Sequence, residues 1–452
     1  MKYEGKGKEQ VRAWVNSEEV ERVLNDFAEE MEIEKADLEK DTLSAKIITN
    51  WVEWVEKDEN WEKARVVLYD FVEDTQTNLK NNLRNDYRDI PDSYKKFFIY
   101  KYKGSEPAWG EMAGTNEAQK KLYEKTGDKI EEYLANAKKF VEEAGEYQIG
   151  DPDSDSVLLQ NIYECIWDKD MLKLKLENVP VMQQTSSNIY MVNIENEGRV
   201  IASDTMTSAM VRFTDVMKII MLEPSGKRQK LIDKITAIHD LCISKGNGQN
   251  WWTTRFCIIM EAVLNEDEKK EFYSMIDEHC PSMRKFLDLC HTIGNYCPIP
   301  IDFNNPRSGR YGKYDYWDLT LQKIKEYYDK KISDNEYDGE KELGKELLHG
   351  RGNMATCKEW LDYFGSWEEF IKQNYMQDYI NDKYDIVPFW ENHGWEDDEE
   401  KNPSLPEKKD TKEKIDIEKT LQEINKALQE INRKIIKRSL RIVIVCRNKL
   451  AK

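Results

Sequence analysis

Apolar residues recur at helical spacing over most of this chain. Val20, Val23, Leu24 and Phe27 share one face behind Ser17, which predicts a helix with a serine N-cap. Ile48, Trp51, Val52 and Val55 make a second stripe. Ala64, Val67, Leu68 and Phe71 make a third, after the polar break Asp58-Glu59-Asn60. An aromatic-rich run, Tyr94–Tyr102, leads into a loop over 104–114 that holds Pro107 and two glycines, and helix resumes over 117–143.

Residues 146–156 (Glu-Tyr-Gln-Ile-Gly-Asp-Pro-Asp-Ser-Asp-Ser) read as an internal boundary, polar and rich in turn formers. Ile189–Ile194 and Arg199–Ser203 flank Glu195-Asn196-Glu197-Gly198, which predicts a small β-hairpin near 188–203. Asp204 then reads as the cap of a helix running to about Leu222. Leu231, Ile235, Ile238 and Cys242 give another helical face, and the nearly unbroken apolar run 251–264 predicts a buried segment. Pro281 suits the first turn of a short helix. Asp315 reads as the cap of a helix carrying Leu319, Ile324 and Tyr327. Gly365 reads as a helix stop, with Ser366 and Glu369 as a capping box behind it.

Residues 396–414 are charged and proline-bearing, a linker by composition. Beyond them Ile417, Leu421, Ile424, Leu428, Ile431 and Ile435 alternate steps of four and three, a seam of nearly three heptads. The fold expected is therefore predominantly α: a multi-helix body with a small β-hairpin near 188–203 and a coiled-coil-like C-terminal helix. The divisions are 1–150 (N-terminal helical region), 151–203 (connector with the hairpin), 204–395 (helical module), 396–414 (linker), 415–440 (amphipathic helix) and 441–452 (basic tail).

Charge narrows the partners. The 452 residues carry a net −19, yet 431–452 hold eight basic and no acidic residues, so residues 1–430 carry −27. Such a body repels nucleic acid over any broad face and leaves room for it only at one local site. The tail can meet the acidic body, an anionic membrane surface or nucleic acid. Eight cysteines are scattered without a Cys-x-x-Cys pair and the first ten residues are polar, so reduced thiols and a cytoplasmic location are expected. No apolar run is long enough for a transmembrane segment.

The one stretch that looks like a site is 290–328. It places His291, Gly294, Asn295, Pro298, Pro300, Asn304, Asn305 and Arg307 in an irregular segment between helical patterns. Imidazole and amide oxygens can hold a divalent metal or a phosphate, and His can act as a general base. The same residues also read as a turn: Gly294 supplying a positive φ, Asn295 bonding its own backbone, and the prolines stiffening the exit. His279, Cys280, Cys290, His291 and Cys297 could supply four zinc ligands, although Cys280 and Cys290 are ten residues apart, unlike the close pairs of structural sites. His239, His349 and His393 lie on a helix face and in two loops.

The run His-Thr-Ile-Gly-Asn-Tyr, with Pro300, Phe303 and Asn304 after it and then Asp-Tyr-Trp-Asp-Leu-Thr-Leu, resembles the signature of a large family of uncharacterised bacterial proteins. Asp204-Thr205-Met206 and Trp360-Leu361 through Phe370 resemble further parts of it. The resemblance covers roughly 204–395 and implies no activity. Ile293-Gly294-Asn295-Tyr296 with Pro300 and Asn304-Asn305 is also similar to a stretch of HNH-type nucleases from modification-dependent restriction systems. In those enzymes a catalytic His precedes it in an acidic-His-x-x-Pro motif. This chain carries Glu278-His279-Cys280-Pro281, one residue shorter. That similarity implies His279 as general base, Asn295 and Asn304 as positioning or metal-binding groups, and Mg or Mn as cofactor. His291 and Asn295 then count as catalytic candidates, and Asn304, Asn305 and Arg307 as binding candidates.

Two functions follow. The first is an interaction or scaffold protein that self-associates or docks with a protein partner through 415–440. The second is a metal-dependent HNH-like nuclease using 279–305, in phage defence by the distant similarity.

Overall fold

A computed structural model describes residues 7–40, 42–69, 71, 157–166, 201–206, 264–300, 317–333, 354–390 and 417–451, with Tyr3, Phe213, Val216, Met217, Ile220, 228–232, Ile235 and Phe303. The described part is predominantly helical, as its periodicity predicts. No helix among the described residues is long and apolar enough to cross a membrane.

The N-terminal helices are α1 (Lys8–Val15), α2 (Glu18–Glu30), α3 (Lys35–Leu38), α4 (Ala45–Val55) and α5 (Asp58–Leu68). Ser17 caps α2 through the backbone N–H of Val20, and Ser44 caps α4 through that of Ile47. Glu18, Glu19 and Glu21 fill the first turn of α2, where the helix dipole favours carboxylates. The predicted stripes face inward. Val20, Val23, Leu24 and Phe27 are buried, and Phe27 meets edge-on the rings of Trp51 and Trp54, which stack with centroids 5.4 Å apart. Trp14 donates from Nε1 to the Val66 carbonyl at 3.0 Å, tying α1 to α5. Helix α6 (Val157–Ile166) lies against α1, where buried Asn161 donates to Gln10 Oε1 at 2.6 Å.

The strand signal near 203 is present, and its described partner lies far along the chain. Residues 188–200 lie outside the described residues, and Ile201–Thr205 form β1, antiparallel to β2 (Tyr296–Pro300). Asp204 pairs with Cys297 inside this ribbon, so it is a strand residue and not a helix cap. The putting-together of β1 and β2 carries Met206 to the site-like block, where its N–H donates to the Asn295 carbonyl at 2.6 Å.

Helix α7 (Glu266–His279) opens on a reciprocal capping box between Asn265 and Glu268, and α8 (Pro281–Leu289) starts on proline as expected. A 3₁₀ turn, Ile293–Asn295, leads into β2. Then come α9 (Trp317–Ser333), α10 (Met354–Phe364) and α11 (Trp367–Gln373), with a 3₁₀ turn at Gln377–Tyr379. Asp315 and the run 251–263 lie outside the described residues. Gly365 does end α10, at φ +74°, and Ser366 Oγ accepts from the Glu369 N–H at 3.2 Å. The Glu369 carboxylate accepts from Gln373 Nε2 at 3.1 Å, in the helix it follows.

The last helix, α12 (Ile417–Ala451), runs straight through residue 440. The amphipathic helix and the basic tail are therefore one element of 35 residues, about 50 Å long. Its seam residues Ile424, Leu428, Ile431 and Ile435 are buried within the same chain. From Ile431 onward burial spreads round the helix: Ile436, Leu440, Ile442, Val443, Ile444, Cys446 and Leu450 are buried too. A helix apolar on all sides is a central one. It is packed by α1, α4, α5, α6, α8 and the Ile293–Asn295 turn.

Three arginines of this helix are neutralised by carboxylates of the same chain. Arg433 clamps Glu56 in a two-pronged pair, 2.8 and 3.1 Å, and Arg441 reaches Asp378 at 2.8 Å. Arg447 pairs with Glu21 and donates to the Val15 carbonyl at 3.0 Å. Hydrogen bonds from Lys35 and Arg447 hold the Glu21 carboxyl down at about 2.

Candidate functional site

The site-like block sits at the meeting point of four parts of the chain. Leu289 ends α8, Thr292 Oγ1 donates back to its carbonyl at 2.8 Å, and the chain turns through Ile293-Gly294-Asn295. His291 offers its carbonyl to the Phe71 N–H at 3.0 Å, and the Phe71 ring meets Tyr296 edge-on. Met206 arrives from β1, and α12 crosses the turn itself.

The crossing is closer than ordinary packing allows. A Cβ on Gly294 would stand 2.0 Å from the Ile435 carbonyl oxygen and 2.4 Å from Ser439 Oγ. Only a hydrogen can fit there. The backbone of Gly294 does not take a positive φ, in contrast to the turn reading. The glycine serves approach, not handedness.

That approach delivers Arg438. It is fully buried. Its Nη1 donates to the carbonyls of Gly294 (2.9 Å) and Tyr296 (2.5 Å) and reaches that of Ile293 (3.4 Å), while Nε donates to the Asn374 carbonyl at 3.1 Å. A buried cation requires compensation, and here converging carbonyl dipoles supply it. They satisfy Nε and Nη1 of the arginine, while Nη2 stays buried without a hydrogen-bond partner among the described residues.

The residues singled out by sequence fall as follows. Asn295 is fully buried; its side-chain amide donates to the Cys290 carbonyl at 2.8 Å and its own N–H to that of Thr292 at 2.9 Å. Both interactions close the turn. His291 is half-buried, its Nδ1 3.2 Å from Cys290 Sγ, and burial lowers its imidazole to about 4. It is neutral at pH 7. His279 stands at the far end of α7, and Cys280 separates it from α8. Asn304, Asn305 and Arg307 lie outside the described residues, so the metal pair Asn295 and Asn304 has one described member.

Among the described residues no three His, Cys, Asp or Glu side chains converge as metal ligands. The zinc candidates are dispersed. Cys280 Sγ meets Asn425 Oδ1 at 3.7 Å, Cys290 Sγ donates to the Leu287 carbonyl at 3.4 Å, and Cys297 Sγ lies 3.9 Å from Asn374 Oδ1. Burial pushes the Cys280 thiol up to about 12. A thiol that resists ionisation is a poor metal ligand.

Three contributors were not singled out from sequence. Arg438 looks like one more member of a basic tail, and nothing in its spacing marks it as buried. Asn425 accepts from the Ser282 N–H at 2.9 Å and so caps α8 from another helix; Asn432 donates to the Ser282 carbonyl at 2.9 Å. Asn at 425 and 432, seven apart on an otherwise charged and aliphatic helix, was the available signal. Comparison of the chain with known protein families, curated proteins and solved structures finds no match.

Proposed function

We propose that this protein is a non-catalytic helical scaffold that self-associates through the outer face of α12. One observation carries this reading: the block most like a catalytic site is spent on seating that helix. Asn295 closes a turn, Gly294 admits the Ile435 carbonyl, and the neighbouring carbonyls are taken by Arg438. With its heptad seam inside its own chain, α12 offers a partner its opposite face. Lys419, Glu423, Lys426 and Glu430 are exposed and fall at steps of four, three and four, on one stripe. Read against a second copy running antiparallel, Lys419 meets Glu430 and Glu423 meets Lys426. The stripe is self-complementary, as a two-fold contact requires. Half-buried Ala427 borders it. Within one chain Lys419 also pairs with Glu423 at 3.9 Å and Arg433 with Glu430 at 3.1 Å, so these charges re-pair on association.

Light scattering across a concentration series tests this. Wild type is expected to show a dimer that the double change Lys419→Glu/Lys426→Glu dissociates without loss of helicity. A monomer at every concentration, or a dimer indifferent to the double change, overturns it.

A second reading, a metal-dependent nuclease built on 279–305, rests on the similarity of that stretch to HNH-type nucleases. With its imidazole held near 4, His291 is neutral but a weak base at pH 7, which weighs against it as the general base. Incubation with plasmid DNA and RNA plus magnesium or manganese distinguishes the two. Cleavage lost in a folded His291→Gln variant favours the nuclease; no cleavage of either substrate favours the scaffold.

A further inference from the structure

Beyond the turn, α12 meets α6 near its own C-terminal end. Lys449 Nζ donates to the Ile166 carbonyl at 2.5 Å, which fixes the two helices at one level. Cys165 precedes Ile166, and Cys446 lies one turn before Lys449 on the same face of α12. Both thiols are free and buried where α6 packs on α12, near enough for each to shift the other's ionisation. Other described cysteines point at oxygen or nitrogen acceptors: Cys280 at Asn425, Cys290 at Leu287 and His291, Cys297 at Pro298 and Asn374.

The surroundings of the pair are cationic. Lys8, Arg12 and Lys449 all favour the Cys165 thiolate. Arg12 itself donates to the Leu450 carbonyl at 3.2 Å, so α1 closes over the same spot. Its neighbour Cys446, with those cations behind it, lowers the Cys165 thiol against the pull of burial. Cys165 and burial in turn raise Cys446. One thiol is thus prepared to attack and the other to resolve.

We propose that Cys165 and Cys446 form a reversible redox pair whose disulfide fastens α12 to α6. The oxidant is hydrogen peroxide, the smallest of the hydroperoxides. The Cys165 thiolate attacks the peroxide oxygen, breaking the O–O bond, and becomes a sulfenic acid while one water leaves. Cys446 sulfur then displaces the sulfenic hydroxyl, forming the S–S bond and releasing a second water. Two thiols lose two electrons and two protons, and the peroxide is reduced to two waters. A dithiol reductant reverses the step by exchange. The bond would close a loop from residue 165 to residue 446, and so fix the C-terminal helix to the N-terminal region through any partial opening.

The test is thiol counting and peptide mapping on the full chain. The native protein is treated with hydrogen peroxide, then unfolded and alkylated without reductant. Of eight cysteines, six are expected to take the label, with the missing two recovered as one linked peptide joining 165 to 446. On a denaturing gel without reductant the oxidised chain should migrate faster, and a dithiol should restore eight labels. In Cys446→Ser the linked peptide should vanish, and a sulfenic-acid trap should mark Cys165. Eight labels after treatment, a link between other cysteines, or sulfinic acid at Cys165 without any link in the wild type would each overturn the proposal.

Discussion

Replacing Gly294 with alanine probes the closest contact in the molecule. The new methyl carbon would sit 2.0 Å from the Ile435 carbonyl oxygen, 2.9 Å from its carbon and 2.4 Å from Ser439 Oγ. Non-bonded heavy atoms settle near 3.5–4 Å, so α12 has to retreat by about 1 Å or more. Ser439 can rotate away, but a helix carbonyl cannot. The retreat lengthens the Arg438 bonds to Gly294 and Tyr296, now 2.9 and 2.5 Å. Overpacking alone costs about 1–3 kcal/mol. Weakening two charge-assisted hydrogen bonds adds about 1–2 kcal/mol more. The sum, about 2–5 kcal/mol, is a large share of the 5–15 kcal/mol that stabilises a typical domain. Urea unfolding followed by circular dichroism measures it, with the slope checked so that a midpoint shift reads as stability. Gly294→Ala/Ser439→Ala should recover less than half of the loss, since it removes the 2.4 Å clash and leaves the 2.0 Å one. A single variant within about 0.5 kcal/mol of wild type would refute the close-approach reasoning.

Three further outcomes are expected. Arg438→Met strips the carbonyls of Gly294, Tyr296 and Asn374 of their donor in a dry interior, and should cost about 3 kcal/mol in the same unfolding assay. His291 ionises near 4 in the folded protein and near 6.5 when free, so its contribution is intact above pH 6.5 and fades as pH falls from 6.5 to 4. Because the ring keeps some contact with water, the fade should be on the order of 2 kcal/mol, and a pH series of urea midpoints should lose that slope in His291→Phe. Ser366→Ala removes the acceptor for the Glu369 N–H and should lower stability by about 1 kcal/mol, readable as a small drop in thermal midpoint.

The helices were legible where the information is local. Ser17, Ser366 and Pro281 announce helix starts because their chemistry acts within one turn, and the stripe from Val20 to Phe27 repeats with the helix itself. The strand at 201–205 was legible as a strand, but its pairing with Tyr296–Pro300 was not, because that partner lies some 95 residues on and no turn residue specifies it. In the C-terminal helix the heptads gave one buried stripe. The dense run Ile442–Val445 carried a further message, that the helix is apolar all round at that level and so enclosed. The division at residue 440 missed it by weighing charge over periodicity. In the candidate block, Gly294 and Asn295 stood out correctly as special. Whether a glycine is needed for its torsion or for another backbone's approach depends on a residue 141 positions away, and so did the burial of Arg438.

The enclosed position of α12 has a bearing on biogenesis. Residues 417–451 leave the ribosome after every segment they hold together, α1, α4, α6, α8 and the turn at 293–295. Until then Trp51 has no acceptor at the Ile436 carbonyl, which it reaches at 3.2 Å, and the carbonyls around Gly294 have no arginine. The nascent chain therefore carries an open apolar trough for the whole interval between making its first helices and its last. Closure of this core must wait until residues 417–451 have been made, and it is a long-range step rather than a local one.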